Sequence, residues 1–147
     1  MKKSVLAGAA VAAAVVAQPL AAAEDILDLT RPSEADYAQA TKVVEPIIQS
    51  LVSDKSEEVF ELAFSGSPLY PRIKPQIPNL NAQFSVSRSA YGKIQHCEKA
   101  ERSASGSLVI RYKYLCQHDL FVTEWNFTLM KSSNGWIIGT MAFKDAS

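Results

Sequence analysis

An α+β fold is predicted, with two to three N-terminal helices packed on one face of a four-stranded antiparallel meander. Three features of the chain predict it. Beyond a short leader, the first half repeats apolar residues at helical spacing. The second half holds four runs rich in Val, Ile, Tyr, Phe, Trp and Thr. The turns between those runs are too short for crossover connections, so consecutive strands must be antiparallel neighbours.

Residues 1–23 stand apart from this pattern. Lys2 and Lys3 form a positive start, Val5 to Val16 run unbroken as Ala, Val, Leu and Gly, and Ala21-Ala22-Ala23 offers small side chains before a cut. These are the parts of a secretory signal peptide of bacterial type, with cleavage expected after Ala23. The apolar run is about 12 residues, and a membrane-spanning helix takes roughly 20. No cysteine lies near the cut, so no lipid anchor is expected. Removal leaves 124 of the 147 residues: a lead-in over 24–32 and one α+β domain over 33–147. Losing Lys2 and Lys3 leaves 13 basic against 15 acidic residues, a net charge near −2. That balance excludes the strongly basic footprint of a nucleic-acid binder. No later apolar run reaches membrane length, so the mature chain is expected to be soluble, in the periplasm or secreted.

The elements follow in order. Pro32 precedes Ser33-Glu34-Ala35-Asp36, a hydroxyl cap followed by acidic residues in a first helical turn. Tyr37, Ala40, Val44, Ile47, Ile48 and Leu51 recur at helical spacing, and the stripe keeps its phase across Pro46. One helix bent at Pro46 is therefore expected rather than two. Ser53-Asp54-Lys55 breaks the pattern, and Ser56-Glu57-Glu58 restarts a short helix through Phe64. Between Ser65 and Pro78 stand Gly66, Pro68, Pro71, Pro75 and Pro78, a spacing that predicts an extended loop. Asn79 to Tyr91 reads as a third helix, with Gly92 as its stop.

Strands are expected at Lys93–Arg102, Leu108–Gln117, Phe121–Met130 and Trp136–Phe143. Gly106-Ser107 and Asn134-Gly135 are candidate two-residue hairpin turns. A turn at Gly106-Ser107 pairs Ser105 with Leu108 and, counting outward, sets Cys97 opposite Cys116. In an oxidising compartment these two cysteines, the only ones in the chain, should form a disulfide. The same register puts Leu108, Ile110, Tyr112, Tyr114 and Cys116 on one face, joined by Thr123, Trp125, Phe127 and Leu129. Helices should pack on that wall. It also sets Arg102 opposite Arg111, which requires an anion between them or a fraying strand. Trp136 and Ile138 fall on one face of the last strand and Ile137, Met141 and Phe143 on the other. Either the proline-rich loop or a partner, such as a second copy in a homodimer through the sheet, would cover the outer side.

Candidate chemistry is sparse. Tyr112, Tyr114 and Trp125 form a possible pocket lining, with Glu101 or His118 as a polar group at its margin; the alternative is that the aromatics are core and Glu101 is solvated. His96, Glu98, Lys113 and Glu124 form a possible partner face. His96-Cys97 with Cys116-Gln117-His118 has the residue types of a zinc site. Strand alternation points His96 away from Cys97, and export favours the disulfide, so no metal site is expected. No Gly-x-Ser-x-Gly, phosphate loop, His-Glu-x-x-His or Cys-x-x-Cys occurs, and no cofactor is expected.

Helices followed by a curved meander, closed by Asn134-Gly135-Trp136-Ile137-Ile138, resemble the nuclear-transport-factor-like and cystatin-like cone folds over roughly Ser33 to Lys144. The resemblance implies a pocket between the helices and the concave sheet face, used by some relatives for isomerase or cyclase chemistry and by others for binding. No catalytic motif of such an enzyme maps onto this chain residue by residue, so fold analogy supplies no activity. The expected role is non-catalytic binding of a protein partner or small ligand. A small enzyme using the cone pocket and a structural or stress-related envelope protein are the alternatives.

Overall fold

Helix α1 (Glu34–Val52) begins where its capping residues dictate. Ser33 Oγ accepts the Asp36 backbone N–H at 3.1 Å, and Asp36 Oδ2 accepts the Ser33 N–H at 3.0 Å. This is a capping box with Asp in the reciprocal position. The other carboxylate oxygen, Asp36 Oδ1, accepts from Lys131 Nζ at 3.0 Å and Trp136 Nε1 at 3.3 Å. The cap of α1 is thereby bolted to the last hairpin of the sheet. The Ser33 amide, then Lys131, hold the Asp36 carboxyl well below the usual carboxylate range, against an opposing effect of burial. α1 runs unbroken through Pro46 and buries Ala40, Val44, Ile47 and Leu51.

The computed structural model describes residues 30–53 and 55–147. The expected signal peptide, and all of the lead-in except residues 30–32, lie outside the described residues. Residues 32–147 form one compact unit.

After α1 come a 3₁₀ turn (Ser56–Glu58) and α2 (Val59–Phe64). The next stretch corrects the sequence expectation. In place of an extended loop over Ser65–Pro78, the chain forms α3 (Tyr70–Ile73), a 3₁₀ turn (Lys74–Gln76) and α4 (Ile77–Tyr91). Pro71, Pro75 and Pro78 each stand in the first turn of their element. A proline there removes only an N–H that would have no intrahelical acceptor, and its fixed φ suits the helix. These prolines start helices instead of forbidding them. Tyr70 and Ile73 pack against the core.

The sheet is β1 (Ile94–Ser105), β2 (Val109–His118), β3 (Val122–Ser132) and β4 (Gly135–Asp145), antiparallel and in sequence order. Cys97 lies opposite Cys116 and is bonded to it, with their Cα atoms 4.1 Å apart. The route to that register differs from the expected one. The first hairpin loop has three residues, Gly106 to Leu108, with Gly106 at φ +57°, so Ser105 pairs with Val109. The extra residue is taken back at Ala100, where the register shifts between Lys99 and Glu101. Residues 101–105 therefore show the opposite faces from those expected.

Three corrections follow. Arg102 pairs with Tyr112 and Arg111 with Ser103, so the two arginines do not face each other. Arg111 donates to Ser105 Oγ at 2.8 Å. Leu108, in the loop, is 59% exposed instead of joining the wall. In β4 a further irregularity leaves Gly139 unpaired, which turns Met141 and Phe143 onto the same face as Trp136 and Ile138. The last strand thus has one core face, and only Ile137 of its large apolar residues points outward. Met130 packs over Gly139, whose missing side chain makes room for it.

The core sits between α1, α2, α4 and the sheet. Trp125 is fully buried, stacked on Phe143 at 4.7 Å and met edge-on by Phe84 at 5.1 Å. Such pairs contribute about 1 kcal/mol each beyond the area they bury. The helical and sheet halves join at Gly92, at φ +88°. Its N–H bonds to Arg88 O, the adjacent Tyr91 O accepts Leu120 N–H, and its own carbonyl bonds His118 Nδ1.

Two stability predictions follow. A Cβ at Gly92 would lie 2.5 Å from Asp119 Oδ2 in a backbone region reserved for glycine. Gly92→Ala should cost about 1–3 kcal/mol in urea unfolding, and an unchanged midpoint would refute this junction. Reducing the disulfide, which closes a loop of sequence separation 19, should cost about 3 kcal/mol. Denaturation with and without reductant reads that loss directly.

Candidate functional site

The interior of the cone is filled. Tyr112, Trp125 and Phe127 are buried to within 1% of fully. Their polar atoms are satisfied locally. Tyr112 Oη bonds Thr41 Oγ1 at 3.1 Å and donates to Tyr37 O at 3.2 Å, and Trp125 Nε1 donates to Thr123 Oγ1 at 3.0 Å. His118 is buried, with Nδ1 2.8 Å from Gly92 O and Nε2 2.9 Å from Thr123 Oγ1. A carbonyl only accepts, so Nδ1 carries the proton; a neutral ring then accepts the Thr123 hydroxyl proton at Nε2. These contacts give His118 the bonding of a core residue joining helix end to sheet.

The expected pocket group is not brought together as the lining of one interior pocket. Tyr112, Tyr114 and Trp125 are core, and Glu101 is on the other face. The Ala100 bulge turns Glu101 outward, where Lys113 Nζ meets it at 3.0 Å. The expected partner face is a ladder of ion pairs within the chain. Lys113 also reaches Glu124 at 3.7 Å, and Lys144 reaches Glu124 at 3.5 Å. Asn126, then the two lysines, lower the Glu124 pKa against opposing burial. His96 and Glu98 stand 3.8 Å apart towards the start of β1. Among the described residues, no group of three or more His, Cys, Asp or Glu is placed to hold a metal.

A concave surface forms elsewhere, between α1 and β1. Two adjoining depressions, of about 560 and 260 Å³, share Glu45 and Gln49 and make one groove. On the helix side Tyr37, Thr41, Glu45 and Gln49 recur every four residues along one face. The strand side supplies Cys97, Lys99 and Arg102, with Tyr114 beneath. Lys99 and Arg102 would alternate across a regular strand. The unpaired Ala100 between them puts both on the helix side.

Each cation rests on a ring. Arg102 Cζ lies 3.8 Å over the Tyr37 ring, and Lys99 Nζ 4.3 Å over that of Tyr112. Lys99 also donates to Thr41 Oγ1 at 3.3 Å. Burial first, and the Arg102 charge second, lower the Lys99 pKa, with Glu45 opposing. Burial pushes the Tyr114 hydroxyl up to about 12, helped by Tyr112 and Glu45. Among the described residues neither Lys99 nor Arg102 is ion-paired to a carboxylate. The groove was missed in the sequence because its strand half depends on the bulge. The four-residue spacing from Tyr37 to Gln49, beside the apolar stripe, was its one visible trace.

No family model matches the chain, and no curated protein matches it with significance. Among solved structures, an NTF2-like protein of unknown function from Methylobacillus flagellatus aligns with a TM-score of 0.52 at 14% identity. The alignment covers 80% of this chain and 98% of that one. A Campylobacter jejuni protein, provisionally called an NTF2-like transpeptidase, aligns over 66% of this chain and 94% of its own. Its TM-score is 0.47 and its identity 14%. The Methylobacillus flagellatus likeness, with helices packed on a four-stranded open antiparallel sheet, shows an NTF2-like α+β cone fold. No helix among the described residues is long and apolar enough to cross a membrane.

The raised Tyr114 pKa has a readable consequence. Burial favours the neutral phenol, so its contribution to stability is complete below pH 10 and is lost as pH rises towards about 12. Spectrophotometric titration of wild type minus Tyr114→Phe should show one phenol ionising near 12. Ionisation at 10 would contradict the burial.

Proposed function

We propose that the chain is an exported, non-catalytic binding domain, residues 33–147, whose ligand site is the groove between α1 and β1. One observation carries the binding reading. The cone interior, where a fold of this kind would house reaction chemistry, is packed with aromatic rings whose polar atoms are taken up by Thr41, Tyr37 O and Thr123, while Lys99 and Arg102 face an open groove without a carboxylate partner among the described residues. Charged donors left unpaired beside a concavity are where a ligand gains most.

Export rests on the leader's charge and apolar pattern, and the Cys97–Cys116 bond supports it. Such bonds persist in oxidising compartments and are rare in the cytosol. Intact mass of the chain from cell fractions should show the periplasmic or secreted form starting at Glu24, two hydrogens lighter than its reduced form. A full-length cytosolic chain with two free thiols would sink the export reading.

The binding reading is tested by filling the groove. Ala38 is exposed and lines it, so Ala38→Trp should occupy the space without disturbing the core. In a heteronuclear NMR screen of neutral, anionic, cationic and zwitterionic small molecules, ligands should move the amides of Thr41, Glu45, Lys99 and Arg102 in wild type. The same ligands should leave Ala38→Trp unmoved. If no charge class perturbs those amides, the reading fails.

A further inference from the structure

We infer that the groove takes a short peptide-like zwitterion, its carboxylate held by Arg102 and Lys99 and its ammonium group by Glu45. The inference rests on the groove being a binding site and goes on to name the ligand class. Arg102 turns one face of its guanidinium to Tyr37, and none of its N–H groups donates to a described residue. Stacking leaves the planar edge of a guanidinium free, and that edge matches a carboxylate with two parallel hydrogen bonds. Lys99 is the second cation. It is held between Tyr112 and Thr41 and close enough to Arg102 for the two charges to disfavour each other. An anionic group placed between them would relieve that repulsion.

Glu45 supplies the opposite charge in the same groove. It is exposed, and no described residue donates a hydrogen bond or an ion pair to it. Glu34 and Lys42 also line the groove, one of each sign. The groove therefore carries both signs of charge, with Arg102 and Lys99 on the strand side and Glu45 on the helix side. A dianion would meet Glu34 and Glu45 unfavourably, and a simple amine would meet two cations. A molecule with separated charges satisfies both ends.

The helix provides a ruler for the separation. From Tyr37, under Arg102, to Glu45 is about 12 Å along the axis at 1.5 Å per residue. An extended peptide advances about 3.3–3.6 Å per residue, so about three residues set a terminal carboxylate and a terminal ammonium at the two ends. Free amino acids are too short to reach both.

The test uses three forms of one probe in the NMR assay: trialanine, N-acetyl-trialanine and trialanine amide. Trialanine should shift the amides of Thr41, Glu45, Lys99 and Arg102. Trialanine amide, lacking the carboxylate, should bind about tenfold more weakly or less, and the acetylated form severalfold more weakly. Arg102→Ala should weaken trialanine about tenfold while leaving trialanine amide unchanged, and Glu45→Gln should weaken trialanine without affecting the acetylated form. An unmoved Trp125 indole resonance confirms that each variant is folded. Equal binding of the three forms, an Arg102→Ala variant that binds as wild type, or shifts confined to another surface would each overturn the inference. Silence from all three peptides, while other small molecules still move the groove amides, would overturn this ligand class and leave the binding reading standing. Silence from every compound would remove both.

Discussion

The Cys97–Cys116 bond and the three-residue loop at Gly106–Leu108 impose registers on β1 that differ by one residue. The disulfide sets Cys97 opposite Cys116. The loop sets Ser105 opposite Val109. Both hold only if one residue between them is left unpaired, and that residue is Ala100. The bulge is thus a geometric necessity of the hairpin. It turns Glu101 towards Lys113 on the outer face and Arg102 towards Tyr37 on the helix face. Without it, Lys99 and Arg102 would lie on opposite sides of the sheet and the groove would lose one of its two cations.

The buried core and the proposed recognition surface are separated in space. Burial is concentrated in the ring cluster of Phe60, Phe84, Trp125 and Phe143, with Tyr112 alongside. The polar atoms there, Trp125 Nε1 and Tyr112 Oη, are taken up by Thr123, Thr41 and Tyr37 O, so the cluster has little to offer a ligand. Lys99 and Arg102, which have no ion-pair partner among the described residues, stand at the margin, where α1 crosses beside an edge strand. Tyr112 links the two regions, with its ring under Lys99 and its hydroxyl on Thr41 and Tyr37. Asp36 holds the other side of α1 to Lys131 and Trp136. α1 is therefore gripped by the sheet at its first turn and at Thr41, which gives the groove a rigid wall.

Much of the fold was legible from local chemistry. The Ser33–Asp36 cap, the α1 stripe, the Gly92 stop and the β2–β3 pairing depend on neighbouring residues or on period-two alternation, and the structure has them where the chain predicts. The proline segment misled because proline is ambiguous in isolation. It breaks a helix from inside and starts one from the first turn, and only the packing of Tyr70, Ile73 and Ile77 determines where each first turn falls.

By itself, the sequence determined the capped α1 stripe, the order of the four strands and the buried wall of β2 and β3, because each follows from spacing along one element; it also named the two cysteines as partners, but through a two-residue turn that the chain does not form. Only the tertiary structure decided where the bulges at Ala100 and Gly139 lie. A bulge costs one residue, leaves no mark in composition and reverses every side chain beyond it. It is set by the balance of loop, disulfide and core packing across several strands. That balance put Glu101 outside, brought Arg102 to α1, and turned Met141 and Phe143 into the core, and with those placements it closed the cone interior and formed the groove.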